Sequence, residues 1–354
     1  MLSTQPAVLR RPVPDADKAI RKQVMDLAWP VMAESVLQVF AQIVSMALVG
    51  HLGADAVASI GLSMQPLNLF YGIFTGISVA ATAVVARLTG AGEKRDASKA
   101  AAQSILMAVI VASIGALFLG YRARQVVIWM GAEANVVAEG TRYLLAMTPG
   151  LFCMWISTVL TGALRGIGDT RTPMKVNMAI SIINFAGNVV LVYGLFGFPA
   201  LGVLGAGIAT SAARFTGAIL LFIPYITGKT LLPVSVGSDF RWNIPLIKRL
   251  AKIGIPGTME RLLVSSAFLF YVRMVAGLGS TSYAAHAIGV NAESLSYMPA
   301  QAFSIAATTL VGQYLGAKKP DLAEKSTWQS LRMACLLVGS LAVVFALFPK
   351  SLMR

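Results

Sequence analysis

The sequence predicts an all-α, polytopic membrane protein: two parallel repeats of a six-helix bundle, the second incomplete, with about nine transmembrane helices. Three observations predict it. The first is composition: 56% of the 354 residues are hydrophobic, 12% are charged and the mean hydropathy is +0.72, where a soluble domain carries about 25% charged residues. The second is the recurrence of apolar runs near the ~20 residues a helix needs to cross a bilayer, without the short alternating segments of a membrane barrel. The third is that one stretch occurs twice. Residues 30–104 lie on residues 256–330 without a gap at an offset of 226, with 21 identities in 75 positions. Pro30 meets Pro256, Glu34 meets Glu260, Ser78-x-Ala-Ala-Thr82 meets Ser304-x-Ala-Ala-Thr308, and Gly90-Ala91 meets Gly316-Ala317.

Spans are expected near 25–49, 60–87, 97–120, 141–164, 174–195, 202–226, 246–277, 284–313 and 327–348. An N-terminus inside then places 21 of the 29 Lys and Arg residues in cytoplasmic loops or at cytoplasmic span ends, five on the outer side, and three (Arg214, Arg261, Arg273) away from the loops within spans. Loop asymmetry of this kind orients membrane proteins, so the net charge of +14 needs no nucleic acid to explain it. The expected organisation is a disordered cytoplasmic tail (1–24), an N-terminal six-helix bundle (25–226), a cytoplasmic linker (227–244) and a partial C-terminal bundle of three helices (245–354). A complete second copy of the first half would run to about residue 452, so the counterparts of spans 4–6 are missing and the chain reads as truncated after its ninth helix. Six spans separate the copies. An even number gives parallel repeats, a transporter design with the site between halves.

In chain order, residues 1–24 hold three prolines and several charges, hence the tail. Span 1 carries Glu34, Gln38, Gln42 and Ser45 on one helical face, a stripe that should line a cavity rather than face lipid. Span 2 ends in small residues that allow close helix approach. Span 3 has no ionisable group beyond Lys99 at its cytoplasmic end, and a more polar external segment, 121–141, follows. The loop Leu164–Met174 has two glycines for a tight turn, Asp169 or Thr172 as a cap and Pro173 for a first turn. Span 5 carries Asn184 and Asn188 at i, i+4; span 6 holds Arg214 near mid-membrane. Span 7 repeats the pattern with Glu260, and span 8 adds His286, Asn291 and Glu293.

Each of these has a plain reading beside a functional one. Glu34 and Glu260 either make structural polar contacts, with Arg214 or Arg261 as partners, or attract cations and exchange protons in a central cavity. Asn184 and Asn188 read as interhelical hydrogen-bond partners or as ligands. His51 reads as solvated, His286 as solvated or a proton relay, and Arg273 as snorkelling. Cys153 and Cys335 both fall in spans, which excludes a disulfide framework and argues against a metal site. The sixteen methionines suit a plastic binding wall or simple packing.

Four stretches, Val49–Ala54, Leu164–Met174, Tyr193–Thr210 and Ala306–Ala317, resemble the multidrug and toxic compound extrusion family of secondary transporters. The resemblance implies a twelve-helix antiporter in the plasma (inner) membrane that expels cationic drugs in exchange for H⁺ or Na⁺, with no cofactor. Asn184 and Asn188 correspond to the family's helix 5 polar pair, and together with the residues read above the expected substrate or ion site is Glu34, Gln38, Gln42, Ser45, Asn184, Asn188, Glu260 and Glu293. Two departures stand out. The family's helix 1 aspartate is replaced by Ser45. One branch's helix 7 glutamate is replaced by Val264, with Glu260 one turn earlier on the same face as its expected substitute. The alternatives are a flippase for lipid-linked oligosaccharides from the same superfamily, or a truncated product that does not transport. A flippase would favour a cationic cavity, whereas the intramembrane carboxylates favour cationic cargo. An intramembrane enzyme is not expected, because no span carries a His-Glu-x-x-His, Ser/Lys or paired-aspartate motif. The partners expected are small organic cations and lipid.

Overall fold

The computed structural model describes residues 16–50, 54–130, 134–227, 239–276 and 280–347. Its long elements are helices: α1 (Ala16–Gly50), α2 (Ala54–Gly90), α3 (Lys94–Trp129), α4 (Ala134–Gly166), α5 (Arg171–Tyr193), α6 (Gly202–Ile226), α7 (Ile244–Ala276), α8 (Ser280–Gly316) and α9 (Pro320–Leu347). Seven of them are long and apolar enough to cross a membrane by composition alone. Helices α7 and α8 fall short of that standard. Lys248, Arg249, Lys252, Glu260 and Arg261 interrupt α7, and Ser, Thr and Asn residues dilute α8.

The structure corrects the tail. Residues 16–24 are helical, not disordered, and form the first turns of α1. Their charges, Asp17, Lys18, Arg21 and Lys22, face outward, while Ile20, Val24, Leu27, Ala28 and Val31 form a buried stripe at helical spacing. That stripe packs on Ala302, Phe303, Ala306 and Leu310 of α8 and on Ala323 and Met333 of α9. The four charges mask an amphipathic period. In the segment 121–141, residues 121–129 continue α3 and residues 134–141 open α4, with 131–133 outside the described residues.

The first-half core is built around α2 and α4. Trp155 and Phe74 are buried and their rings stack with centroids 4.9 Å apart. Small residues then bring the helices into backbone contact. A Cβ on Gly162 would strike Ser78, and at this approach Ser78 Oγ donates to the Thr158 carbonyl (2.8 Å) and Thr82 Oγ1 to that of Gly162 (2.8 Å). Helices α4 and α6 meet in the same way, Gly150 N donating to Ser211 Oγ (3.2 Å) and Ser211 Oγ to the Ala146 carbonyl (2.6 Å).

The repeat is visible in the contacts between halves. Helix α1 packs on α8 while α7 packs on α2, and Leu250 of α7 belongs to the first-half core. At one end α2 and α8 cross. A Cβ on Gly90 would strike the Gln313 carbonyl, and one on Gly316 would strike the Arg87 carbonyl. Since 90 and 316, and 87 and 313, are related by the offset of 226, these are one contact and its repeat mate. Ala86 and Gly312 are repeat mates of each other, and a Cβ on Gly312 would lie 2.7 Å from that of Ala86, so the pseudo-twofold axis passes between them. The turn after each crossing also repeats, with positive φ at Gly92 (81°) and at its mate Lys318 (58°). This end carries Arg87, Lys94, Arg95, Arg165, Arg171, Lys318 and Lys319 and is called the basic end below.

Residues 228–238 of the expected linker lie outside the described residues, but its end is pinned. Gln103 of α3, fully buried, donates through Nε2 to the carbonyls of Asp239 (3.0 Å) and Arg241 (2.8 Å) and accepts from Asn243 N (3.1 Å). Gln103→Leu is expected to lower stability by about 1–3 kcal/mol, since buried carbonyls lose their donor, and to expose Arg241 to trypsin. Unchanged cleavage there would contradict the anchoring role.

Candidate functional site: a polar seam between α1 and α5

Two polar clusters lie along the line where α1 meets α5. The first is near the basic end. Glu34 is 6% exposed, and its Oε2 accepts from Arg165 Nη2 at 2.9 Å while Oε1 accepts from Asn177 Nδ2 at 2.9 Å and, at the limit, from Gln38 Nε2 at 3.5 Å. The main chain at the end of α4 extends this cluster to the other half: Thr309 Oγ1 of α8 donates to the Arg165 carbonyl (3.0 Å) and Gln313 Nε2 to that of Gly166 (3.0 Å). The turn itself is shaped by Gly168 at φ 91° and by Asp169, whose carboxylate accepts from Thr172 N (2.9 Å) and Thr172 Oγ1 (2.7 Å). Arg165 therefore ties α1 to α4, and its backbone ties α4 to α8.

This corrects the expected partners of Glu34. Neither Arg214 nor Arg261 pairs with it. The partner is Arg165, which sequence reasoning assigned to the cytoplasmic loop. With that ion pair formed, Glu34 is a neutralised carboxylate in this conformation, not an open cation site. Arg165 Nε is buried and has no acceptor among the described residues.

The second cluster lies farther along the same seam. Ser45 Oγ of α1 donates to Asn184 Oδ1 of α5 at 3.4 Å, Asn188 Nδ2 donates to the same oxygen at 3.1 Å, and Asn184 Nδ2 donates to Thr210 Oγ1 of α6 at 2.9 Å. Close packing makes this possible, because a Cβ on Gly187 would lie 3.0 Å from that of Ala209. Asn188 is 3% exposed, and its Oδ1 is a buried acceptor with no donor among the described residues. All four side chains are neutral. Their oxygens are the ligand type that hard cations take, and a buried oxygen lacking a donor is costly unless something electropositive reaches it.

The remaining expected site residues do not join these clusters. Glu260 and Glu293 are exposed and make no ion pair or hydrogen bond among the described residues. The side chains of Gln42, His286, Asn291 and Arg273, and His51 entirely, lie outside the described residues. Sequence reasoning missed Arg165, Asn177 and Thr210. Asn177 was findable, since Asn177, Asn184 and Asn188 stand at i, i+7 and i+11 on one face of α5. No local pattern marks Thr210.

Both copies of the repeat match one family profile, MatE, over residues 30–190 and 256–354. The chain belongs to the MatE family. Among curated MatE relatives it is similar to the probable multidrug resistance protein NorM of Thermotoga maritima, with 31% identity over 341 residues, covering 95% of this chain and 72% of that protein. It is 27% identical to the uncharacterized transporter YisQ of Bacillus subtilis, covering 95% of this chain and 73% of YisQ. The fold matches a multidrug resistance MATE transporter of the MOP superfamily in an outward-facing conformation, at TM-score 0.87 and 21% identity over 94% of this chain and 73% of that one. It also matches a MOP superfamily transporter from Pyrococcus furiosus, at TM-score 0.87 and 21% identity over the same shares. The MatE assignment makes the chain a multi-pass membrane protein, and it places both polar clusters in the first of the two repeats.

Proposed function

We propose that the chain is the transport bundle of a secondary antiporter that exports small organic cations in exchange for H⁺ or Na⁺. The observation that carries this reading is the polar seam. In this MatE bundle α1 and α5 keep a carboxylate and three amides along one interhelical seam, and polar side chains within membrane helices are retained for function. The neutral cluster at Ser45, Asn184, Asn188 and Thr210 is the candidate ion site. Asn188 Oδ1 is its open ligand. Glu34, released from Arg165, is the candidate group for proton or cation exchange.

The orientation belongs to the same proposal. The excess of Lys and Arg at the basic end supports a cytoplasmic basic end and N-terminus, in what is proposed to be a plasma membrane. The crossing of α2 and α8 then closes the cytoplasmic side, and the ties from Arg165 and Gly166 to Thr309 and Gln313 hold it closed. Opening that side requires these bonds to break as one half rocks against the other.

The experiment uses the gene in its host. Deleting it should raise accumulation of a fluorescent lipophilic cation such as ethidium, and restoring it should bring accumulation down while the ion gradients stand. Accumulation identical in deletion and restored strains, for cationic dyes and drugs alike, would defeat the reading.

A further inference from the structure

The seam leaves one deep charge unused, Arg214 of α6. It stands midway along Gly202–Ile226, a helix long and apolar enough to span the membrane. At about 100° per residue it lies within ~40° of Gly207 and Thr210 around the helix, and these face Tyr143 of α4 and Asn184 of α5. The exposed side of α6, Ile208, Phe215, Ile219 and Ile223, is turned away from it. Arg214 therefore points between α4 and α5 into the first-half bundle, one turn toward the basic end from the amide cluster. There it makes no ion pair or hydrogen bond among the described residues. Its electrostatic neighbour is the phenol of Tyr71 on α2, a group that is neutral at physiological pH and leaves the charge uncompensated. Glu34 is the one carboxylate that the sequence places deeper than the ends of the first six spans, and Arg165 already takes it.

We propose that Arg214 is an anion subsite beside the seam, so that the cargo held best is zwitterionic: an organic cation that also carries a carboxylate. The inference rests on the antiporter reading for the cation and adds the second charge. A guanidinium stays protonated at any physiological pH, and an unpaired charge within a membrane helix is costly. Arg214 therefore favours a ligand that brings an anion, and a carboxylate fits its planar fork with two parallel hydrogen bonds. The neighbouring cluster places the cationic end. Thr210 and Arg214 stand at i, i+4, about 5–6 Å apart on one face, and Thr210 is bonded to Asn184, whose side-chain oxygen receives Asn188. Asn188 Oδ1, without a donor among the described residues, can accept from the ammonium of the cargo while its carboxylate meets Arg214. A bare cation meets the same guanidinium as a repulsion and is at a disadvantage.

The probes are rhodamine 110, a zwitterion, and its methyl ester rhodamine 123, a cation of nearly the same shape. Fluorescence polarisation with the purified chain in detergent reads both affinities, so the result does not depend on transport. The wild type is expected to bind rhodamine 110 about tenfold more tightly than rhodamine 123, the gain of a charge-assisted hydrogen bond. Arg214→Gln should remove that preference by weakening rhodamine 110, and Arg214→Lys, which keeps the charge, should retain part of it. Equal affinities in the wild type, no binding of rhodamine 110, or equal weakening of both dyes in Arg214→Gln would overturn the proposal. Ethidium accumulation in the deletion strain tests the antiporter reading by itself, so the two can fail separately.

Discussion

Arg165→Ala is expected to destabilise the bundle by about 3–5 kcal/mol, because it leaves the Glu34 carboxylate buried without its cation. Glu34 keeps only the amide of Asn177 and the long contact from Gln38, and neither supplies charge. Without that cation α1 would be free to separate from the turn that also engages α8. Arg165→Ala with Glu34→Gln should recover most of the loss, since a neutral amide in that place needs no counter-ion and can still bond to Asn177. Thermal unfolding of the purified protein in one detergent, read for the wild type, both single variants and the pair, checks this. Additive losses in the double variant would show that the 2.9 Å pair contributes nothing as a pair.

The second large effect is expected at the crossing of α2 and α8. Gly316→Ala should abolish closure of the basic end and sharply reduce the folded yield, because its methyl group would fall on the backbone carbonyl of Arg87. A carbonyl held in a helix cannot move aside as a side chain can. Gly90→Ala, its repeat mate, should do the same against Gln313. Gly120→Ala and Gly339→Ala are the contrast, since nothing lies within 4 Å of a Cβ at either place. Alanine there should stabilise by about 0.5–1 kcal/mol, the usual gain over glycine within a helix. Fluorescence-detected size exclusion of the four variants separates the cases. Normal monodisperse yield of Gly316→Ala would mean that the halves do not meet as closely as the structure shows.

The repeat was legible because it is written twice in one chain at constant spacing. The repeat pairs Gly90 with Gly316 in the sequence, but it could not say that each lies against the other half. The polar stripe on α1 and the amide pair on α5 were legible for a local reason: period 3.6 brings Glu34, Gln38 and Ser45, or Asn184 and Asn188, to one face of one helix. What pairs across helices was not legible. Arg165 looks like a loop cation that sets topology, and only the tertiary fold shows its side chain turned inward to Glu34 while its carbonyl faces α8. Glu260 looks equivalent to Glu34 in sequence yet lies exposed, because the groups that cover Glu34 come from α4 and α5 of the first half, and no described residue of the second half takes their place beside Glu260. The first turns of α1 were hidden by four charges around a stripe that the second half buries.

The central claim is that the seam between α1 and α5 couples ions to export, and Asn188 is its sharpest point. The measurement is gradient-driven efflux of ethidium from cells carrying the wild-type gene or Asn188→Ala, at matched levels of protein in the membrane. The account predicts that wild-type efflux collapses when the proton and sodium gradients are dissipated, and that Asn188→Ala loses at least about tenfold in rate because the open ligand at Oδ1 is gone. Efflux by Asn188→Ala equal to wild type, with the same dependence on the gradients, would contradict it.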